Sequence, residues 1–233
     1  MALPLYLAMT GAEILENIQF PPGFGWMSGA ASIAALPSWC PEGGMLILTD
    51  EQPFRLENVP EIVKALTQAV QVGRFENVLL DFQRPGSPDT QALVRAVANS
   101  VSCPIGVSEC YARETDCAVL LPPVPPDIPA EEYLRPWQGR EVWLEAALDG
   151  LVINVTENGT KYETLLRGQP GKGEYRDESL CCHYRVEIGD SAVFTLRRTE
   201  EDLRILLNQA EKLGVTRAVG LYQELRDFPW EWG

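Results

Sequence analysis

Residues Arg74–Gln83 of this 233-residue chain read RFENVLLDFQ, an apolar run that ends in Asp81, Phe82 and Gln83. The run is flanked by helical patterns at 60–72 and 90–101, which is typical of a strand in a parallel α/β sheet. Because side chains alternate along a strand, Asp81 and Gln83 are expected to face the same side. The stretch therefore predicts a strand with two polar groups at its carboxyl end.

The same unit recurs along the chain, as a short apolar strand followed by polar residues and usually by a helical pattern. It predicts barrel strands at 3–10, 25–28, 45–49, 78–82, 104–108, 118–121, 141–146 and 218–222. Between the last two, apolar and polar residues alternate around Glu157-Asn158-Gly159 and Gly189-Asp190, which are turn signals of antiparallel hairpins. The expected fold is an α/β TIM (β/α)8 barrel with a small β-rich insertion between the last two strands. We expect a single domain, 1–233, with the inserted subdomain at 150–197.

The charge balance of the chain limits its partners. It has 33 acidic and 19 basic residues, a formal net charge of -14. Such a surface repels phosphate backbones, so no nucleic acid partner is expected, whereas neutral glycans remain compatible. The amino terminus lacks a basic segment followed by a long apolar one, and no window approaches the ~20 apolar residues of a membrane helix. No membrane association is expected, and the predicted localisation is cytoplasmic.

The residue types that hold metals or cofactors are sparse in this sequence. His183 is the only histidine, which argues against multi-histidine metal centres and against a Ser-His-Asp triad. The cysteines lack zinc-type spacing, and neither an EF-hand pattern nor a phosphate-binding glycine loop is present. We therefore predict no metal and no other cofactor, and we interpret His183 as a structural or surface residue.

RFENVLLDFQ resembles the DGxDxDxE signature strand of glycoside hydrolase family 18, the chitinase-type barrels. Residues 140–225 resemble the spore-cortex and chitinase-like members of that family in the order of their parts: a strand, a small insertion, a helix that begins with acidic residues, and a closing strand. The resemblance implies a TIM barrel that acts on or binds an N-acetylated or other oligosaccharide. In that family the last Glu of the signature protonates the glycosidic oxygen. The preceding Asp orients the acetamido group, which itself attacks the sugar carbon.

Mapped onto this chain, Glu76 stands at the first Asp of the signature, Leu79 replaces the second, Asp81 keeps the third and Gln83 replaces the acid. An amide has no proton to donate. The resemblance therefore implies a carbohydrate-binding protein, or an atypical glycosidase whose acid lies elsewhere. The Trp that floors the central sugar subsite in the family falls here on Tyr222 or Gln223.

Acidic residues follow several predicted strands: Asp50, Glu51, Asp81, Glu109, Glu145 and Glu224. The carboxyl ends of barrel strands form the active face, so we expect these groups at the barrel mouth. Asp81 paired with Glu109 or Glu145 could carry out a two-carboxylate glycoside hydrolysis. The simpler interpretation is that strand ends run into polar loops in any protein. The catalytic candidates are Asp81, Gln83, Glu109 and Glu145.

Aromatic side chains near strand ends are candidates for sugar platforms, because sugar rings stack on them through their CH faces. Trp26 lies in PPGFGWMSG, where the glycines predict an exposed, tightly turned loop. The substrate-binding candidates are Tyr6, Trp26, Asp50, Glu51, Tyr222, Gln223 and Glu224. The competing hypothesis is a non-catalytic scaffold whose insertion, or whose aromatic tail around Trp230 and Trp232, binds another protein.

Overall fold

In a computed structural model the chain forms a closed barrel of eight parallel strands with a separate antiparallel sheet. The structure describes residues 3–16, 23–30, 33, 42–165 and 173–227, so Trp230 and Trp232 lie outside it. The barrel strands are β1 (Leu5–Met9), β2 (Phe24–Gly29), β3 (Met45–Thr49), β4 (Asn77–Asp81), β5 (Ile105–Ser108), β6 (Ala118–Leu121), β7 (Val142–Ala146) and β13 (Val215–Leu221). Their order around the barrel is β1-β13-β7-β6-β5-β4-β3-β2, which confirms the predicted fold class.

Helices follow most of the barrel strands. They are α1 (Gly11–Glu16), α2 (Val59–Gly73), α3 (Pro88–Ala98), α4 (Ala130–Leu134), α5 (Glu200–Lys212) and α6 (Tyr222–Leu225), with 3-10 turns at Leu56–Asn58, Glu109–Glu114 and Arg135–Trp137. α3 begins where Ser87 Oγ accepts a hydrogen bond from the Thr90 amide at 3.3 Å, the role of an N-cap. The connection from β5 to β6 is a 3-10 turn where the repeating pattern of the barrel would place an α-helix.

The apolar side chains of the barrel strands form two cores. The inward-facing side chains form a small cluster on the barrel axis: Tyr6, Ala8, Met45, Ile47, Leu79, Ala118, Leu120, Trp143 and Val219. Outward-facing side chains such as Leu46, Leu80 and Leu144 pack in the larger core. Because residues two apart share a face of a strand, Asp81 lies on the inward face with Leu79, and Glu145 with Trp143. The carboxyl end of the barrel interior therefore carries two carboxylates.

Trp143, the second residue of β7, fills the barrel interior towards the amino-terminal ends of the strands. It is fully buried, and a Cβ on Gly106 would lie 2.3 Å from its ring, so only glycine leaves room for the indole. The Arg217 guanidinium lies 4.9 Å from the centre of that ring, in cation-π geometry. Asn77 Nδ2 donates a hydrogen bond of 2.9 Å to the hydroxyl of buried Tyr6. These contacts fill the barrel interior near the amino-terminal ends of its strands.

The insertion forms a five-stranded antiparallel sheet in the order β10-β11-β12-β8-β9. Its strands are β8 (Gly150–Thr156), β9 (Gly159–Leu165), β10 (Tyr175–Asp177), β11 (Cys182–Ile188) and β12 (Ala192–Arg197). The two predicted hairpins, β8–β9 and β11–β12, are present. The sequence did not predict β10, which lies in a segment interpreted as a loop.

Polar contacts attach the insertion to the barrel. Asp202, fully buried in the first turn of α5, accepts hydrogen bonds from the amide and hydroxyl of Thr199 at 3.0 and 2.7 Å. It also lies 2.9 Å from His183 Nδ1 and 3.2 Å from Arg176 Nε. His183 is thus a structural residue, as the sequence indicated.

A buried arginine makes the second attachment. The Arg198 guanidinium donates to the carbonyls of Leu180 and Cys181, in the turn before β11, and of Val124 and Pro125, in the loop after β6. Because one planar group holds four carbonyls, the turn and the barrel loop are fixed to each other. None of the described helices is long and apolar enough to span a bilayer.

Candidate functional site

A cavity of about 350 Å³ opens at the mouth of the barrel, on its axis. Its walls are largely aliphatic and come from strands all around the barrel: Ala8, Met27, Ile47, Leu79, Leu120 and Val219. Its polar groups are Asp81, Gln83, Glu145, Asp149 and Glu224. A smaller cavity of about 190 Å³ lies beside it, shares Gln83, Leu120 and Glu145, and adds Ser108, Glu109 and Cys110. Because they share these residues, the two adjacent cavities are together called the groove.

Asp81 and Gln83 are bonded to each other at this groove. The Gln83 amide nitrogen donates a hydrogen bond to Asp81 Oδ1, and the Ser108 hydroxyl lies 3.5 Å from the same oxygen. Burial raises the pKa of Asp81 above its ordinary value and the charge of Asp50 adds to this, while the bonds from Gln83 and Ser108 oppose it. A neutral amide thus stabilises the charged form of the neighbouring carboxylate.

Asp50 holds the loop that carries Gln83. It follows β3 and is 6% exposed, and its two carboxylate oxygens accept hydrogen bonds of 3.0 Å from the backbone amides of Gln83 and Arg84. Two charge-assisted bonds to adjacent amides fix the direction in which the chain leaves β4. Asp50 was predicted to bind substrate. It lines neither cavity and acts instead on the position of Gln83.

Glu145 has the most strongly shifted carboxyl group of the groove. Burial, and then the negative charge of Asp81, raise the pKa of Glu145 to about 7. A carboxyl with that pKa is about half protonated at neutral pH, whereas an ordinary Glu is ionised. The groove therefore contains a carboxyl group that can hold a proton near neutral pH.

Glu109 lies close enough to Glu145 for both to act on one phenol. Burial and the charges of Glu109 and Glu145 raise the pKa of Tyr133 to about 12, and the Tyr133 hydroxyl donates to the Pro122 carbonyl at 3.0 Å. All four catalytic candidates line the groove: Asp81, Gln83, Glu109 and Glu145.

Two of the three aromatic candidates, Trp26 and Tyr6, lie away from the groove. The predicted exposure of Trp26 is wrong: it is 4% exposed, faces outward from the barrel and stacks on Phe75 at a centroid distance of 6.3 Å. The glycine beside it serves packing, because a Cβ on Gly25 would lie 2.7 Å from the Ile47 side chain. Tyr6 is buried in the barrel interior and does not line the groove.

Of the three candidates that follow the last strand, one lines the groove and two do not. β13 ends at Leu221, so Tyr222 and Gln223 lie in α6 and do not line the groove, contrary to the predicted sugar floor. Gln223 instead hydrogen-bonds Glu13. Glu224 does line the cavity, whereas exposed Glu51 does not. Among the lining residues that the structure describes, the aromatic ring of Phe82 is fully buried and no ring is presented as a platform.

Sequence reasoning missed two polar residues of the groove, Ser108 and Asp149. Ser108 ends β5, and its hydroxyl accepts a hydrogen bond of 2.9 Å from the Phe82 amide. Ser108 could have been predicted from the sequence, because it is a polar residue at the carboxyl end of an apolar strand. Asp149 comes three residues after β7, where only the structure shows that the chain still borders the mouth. In the ranges that the structure describes, no group of three or more His, Cys, Asp or Glu side chains is arranged to hold a metal.

Comparison with known proteins identifies the architecture. No protein-family model and no curated protein sequence matches the chain. Solved structures do match. The crystal structure of the Bacillus cereus spore cortex-lytic enzyme SleL aligns with 100% of this chain and 75% of its own, at 8% identity and a TM-score of 0.55. The chain has the fold of a chitinase-type barrel.

Two structures of chitinases from Cycas revoluta agree with this. A class V chitinase mutant in complex with (GlcNAc)3 aligns over 94% of both chains, at 11% identity and a TM-score of 0.54. A glycoside hydrolase family 18 chitinase with two substitutions, one of them glutamate to glutamine, is in complex with (GlcNAc)4 and aligns over 94% of both chains, at 11% identity and a TM-score of 0.53. The chitinase-type fold places the groove at the carboxyl ends of the strands, where barrels of this kind carry their sites.

Proposed function

We propose that the protein binds an N-acetylated oligosaccharide in the groove at the barrel mouth. The observation that carries the proposal is the convergence of Asp81, Gln83 and Glu145 on one open cavity of about 350 Å³. A cavity of this size with aliphatic walls and a few polar groups has the character of a small-molecule site. Its aliphatic walls would contact the CH faces of the sugar, and its carboxylates and amide would bind hydroxyl and acetamido groups.

The structural neighbours support this choice of ligand. Two of them are chitinases solved with N-acetylglucosamine oligomers, and one of those carries a glutamine in place of a glutamate. In the present chain Gln83 replaces the signature acid and Asp81 is retained, so a sugar could still be held without proton transfer from residue 83. Binding without the signature acid is therefore the function we assign first.

Calorimetric titration tests the proposal. We expect saturable binding of the N-acetylglucosamine trimer and at least tenfold weaker binding of the equally linked glucose trimer, because the acetamido hydrogen bonds are missing. Gln83→Ala should reduce the affinity for the acetylated trimer by about tenfold, the effect of one lost hydrogen bond. Glu132→Gln, an exposed change on α4, is the control. No binding of any oligomer to the folded protein would refute the proposal.

A second candidate function is glycoside hydrolysis with a relocated acid. The observation that favours it is the pKa of Glu145, raised to about 7 in the groove that also contains Asp81. A general acid works best when its pKa is near the working pH. Glu145 would donate its proton to the glycosidic oxygen as the bond to the sugar carbon breaks. Asp81 would orient the acetamido group, whose oxygen bonds to the sugar carbon as the leaving oxygen departs. Water would then attack the same carbon, releasing the acetamido group and giving a proton to ionised Glu145.

Release of reducing ends from acetylated oligomers distinguishes the two functions. If Glu145 is the acid, the wild type hydrolyses the oligomer, Glu145→Gln lowers the rate at least a hundredfold, and Glu132→Gln does not change it. A wild type that binds the oligomer and does not cleave it leaves binding as the function.

A further inference from the structure

One face of the insertion sheet is uncharged along its four long strands. Residues that pair across antiparallel strands share a face, so the registers of β8, β9, β11 and β12 define it. That face, here called the apolar insertion face, consists of Leu151, Ile153, Val155, Thr160, Tyr162, Thr164, Tyr184, Val186, Ile188, Ala192, Phe194 and Leu196. β10 adds Tyr175, packed on Tyr184 at 6.0 Å, and Asp177, whose carboxylate is bonded to the turn at Ser179 and Leu180.

The opposite face of the same strands carries the charge. It presents Lys161, Glu163, His183, Arg185, Glu187 and Arg197. This alternation of apolar and polar residues is the pattern of a sheet with one side in water and the other packed against a second layer. The strands of the insertion therefore carry the pattern of one half of a two-layer structure.

Much of the apolar insertion face is exposed in the described part of the chain. Leu196, at the end of β12 that leads into the barrel, is 5% exposed, whereas Val155, Val186 and Ile188 towards the other end of the face are exposed. Val155, Tyr162, Tyr175, Val186 and Ile188 are on this face, five of the nine large hydrophobic side chains that are exposed in the described residues. Ile188 is 84% exposed and Tyr162 is 62% exposed. Contiguous apolar surface of this kind marks an interaction site.

The size of the face fits a second copy of the same chain. At ~4.8 Å between strands and ~3.4 Å per residue, its four strands of five residues each measure about 19 Å by about 17 Å. The projected area is on the order of 320 Å² per copy, and the side chains that stand out from the sheet give a larger accessible area. A standard interface uses about 800 Å² per partner, so the apolar insertion face corresponds to a small interface.

The charge distribution also favours a second copy. Two molecules of net charge -14 repel each other wherever their acidic surfaces meet, but the long strands bring no charge to this face. A basic partner would meet no carboxylate of the long strands on this face. A surface that pairs with itself about a two-fold axis needs only to be apolar and flat.

We propose that two copies of the protein associate through their apolar insertion faces. The two sheets would stack face to face about 10 Å apart, as the layers of a β-sandwich do. In this dimer Ile188 and Tyr162 of each copy become buried.

Sedimentation equilibrium of the full-length chain tests this between about 1 and about 100 µM, since interfaces of this area include micromolar ones. The wild-type mass should rise from 25.9 kDa towards twice that value. Ile188→Lys and Tyr162→Lys should each stay at 25.9 kDa, because a lysine would be buried without a partner. Both changes lower the net negative charge, so increased repulsion cannot explain the loss.

Glu187→Lys is the matched control, because it alters the adjacent residue on the opposite face. It should associate at least as strongly as the wild type. Circular dichroism confirms that each variant is folded. A wild type that remains at 25.9 kDa throughout, or a dimer that Ile188→Lys and Tyr162→Lys leave intact, would overturn the proposal.

Discussion

At the scale of single residues, the pairing of Asp81 with Gln83 determines what the signature strand can do. The Gln83 amide donates to Asp81 and has no acidic proton to give to a substrate. A glutamate at the same place would be a second carboxylate against Asp81, and repulsion between them would keep one of the two protonated. On the proposed function, glutamine at position 83 would support binding, and glutamate there would add an acid.

Gln83→Glu should create hydrolysis of an N-acetylglucosamine oligomer, or increase any activity of the wild type, by about a hundredfold or more, the typical effect of a general acid. The measurement is the release of reducing ends near neutral pH, with Gln83→Ala as the matched variant that gains no acid. If Gln83→Glu folds and binds the oligomer but gains no activity, residue 83 does not face the glycosidic bond.

Glu145 should make the stability of the protein depend on pH. Its pKa is about 7 in the folded state against 4.5 for the ordinary group, so between these values the folded state holds an extra proton. The free energy of unfolding should therefore fall by about 2 to 3 kcal/mol as the pH rises from about 4.5 to about 7, and then level off with respect to this group.

Urea unfolding of the wild type and of Glu145→Gln, at about pH 5 and about pH 8, measures this contribution. The neutral amide should remove most of the decrease, leaving the smaller contribution of Asp81, whose pKa is also raised. Equal decreases in both proteins would show that Glu145 is not the group responsible.

At the scale of elements, the loop after β4 depends on Asp50. Replacing it by alanine would leave the Gln83 and Arg84 amides without their shared acceptor, which costs about 1 to 3 kcal/mol for buried groups. Asp50→Ala should lower the free energy of unfolding by this amount and weaken oligosaccharide binding, because the loop no longer fixes Gln83. Asp50→Asn, which keeps one acceptor oxygen, should lie in between. Gln52→Ala, an exposed change in the loop after β3 that also carries Asp50, is the control, and an equal effect of both alanine variants would contradict the assignment.

The sequence predicted the strands that have a clear pattern of apolar residues. The barrel strands are apolar runs that end in polar residues, and the long hairpins of the insertion alternate around glycine turns. β10 was missed because Tyr175–Asp177 is too short to show a period and stands in a segment rich in glycine and charge. The end of β13 was misplaced because no break in the apolar pattern separates Leu221 from Tyr222, where α6 begins.

At the scale of the whole molecule, sequence predicted the barrel and the grouping of its catalytic candidates, because strand ends meet at one face. It could not predict roles that depend on distant partners. Asp50 looked like a mouth residue, but its bonds reach amides more than thirty positions away. Trp26 looked exposed because glycines flank it, although they are there for close packing. The pKa of Glu145 likewise depends on burial and on Asp81, 64 positions away.

The attachment of the insertion also provides a spectroscopic reporter. The chain has one histidine, and its ring lies 2.9 Å from Asp202, where the insertion meets α5. With isotope-labelled histidine, every imidazole resonance in the spectrum of the protein must come from this junction, and no assignment is needed. Two sets of ring signals would show two docked arrangements that interconvert slowly, and their intensities would give the ratio of the two directly.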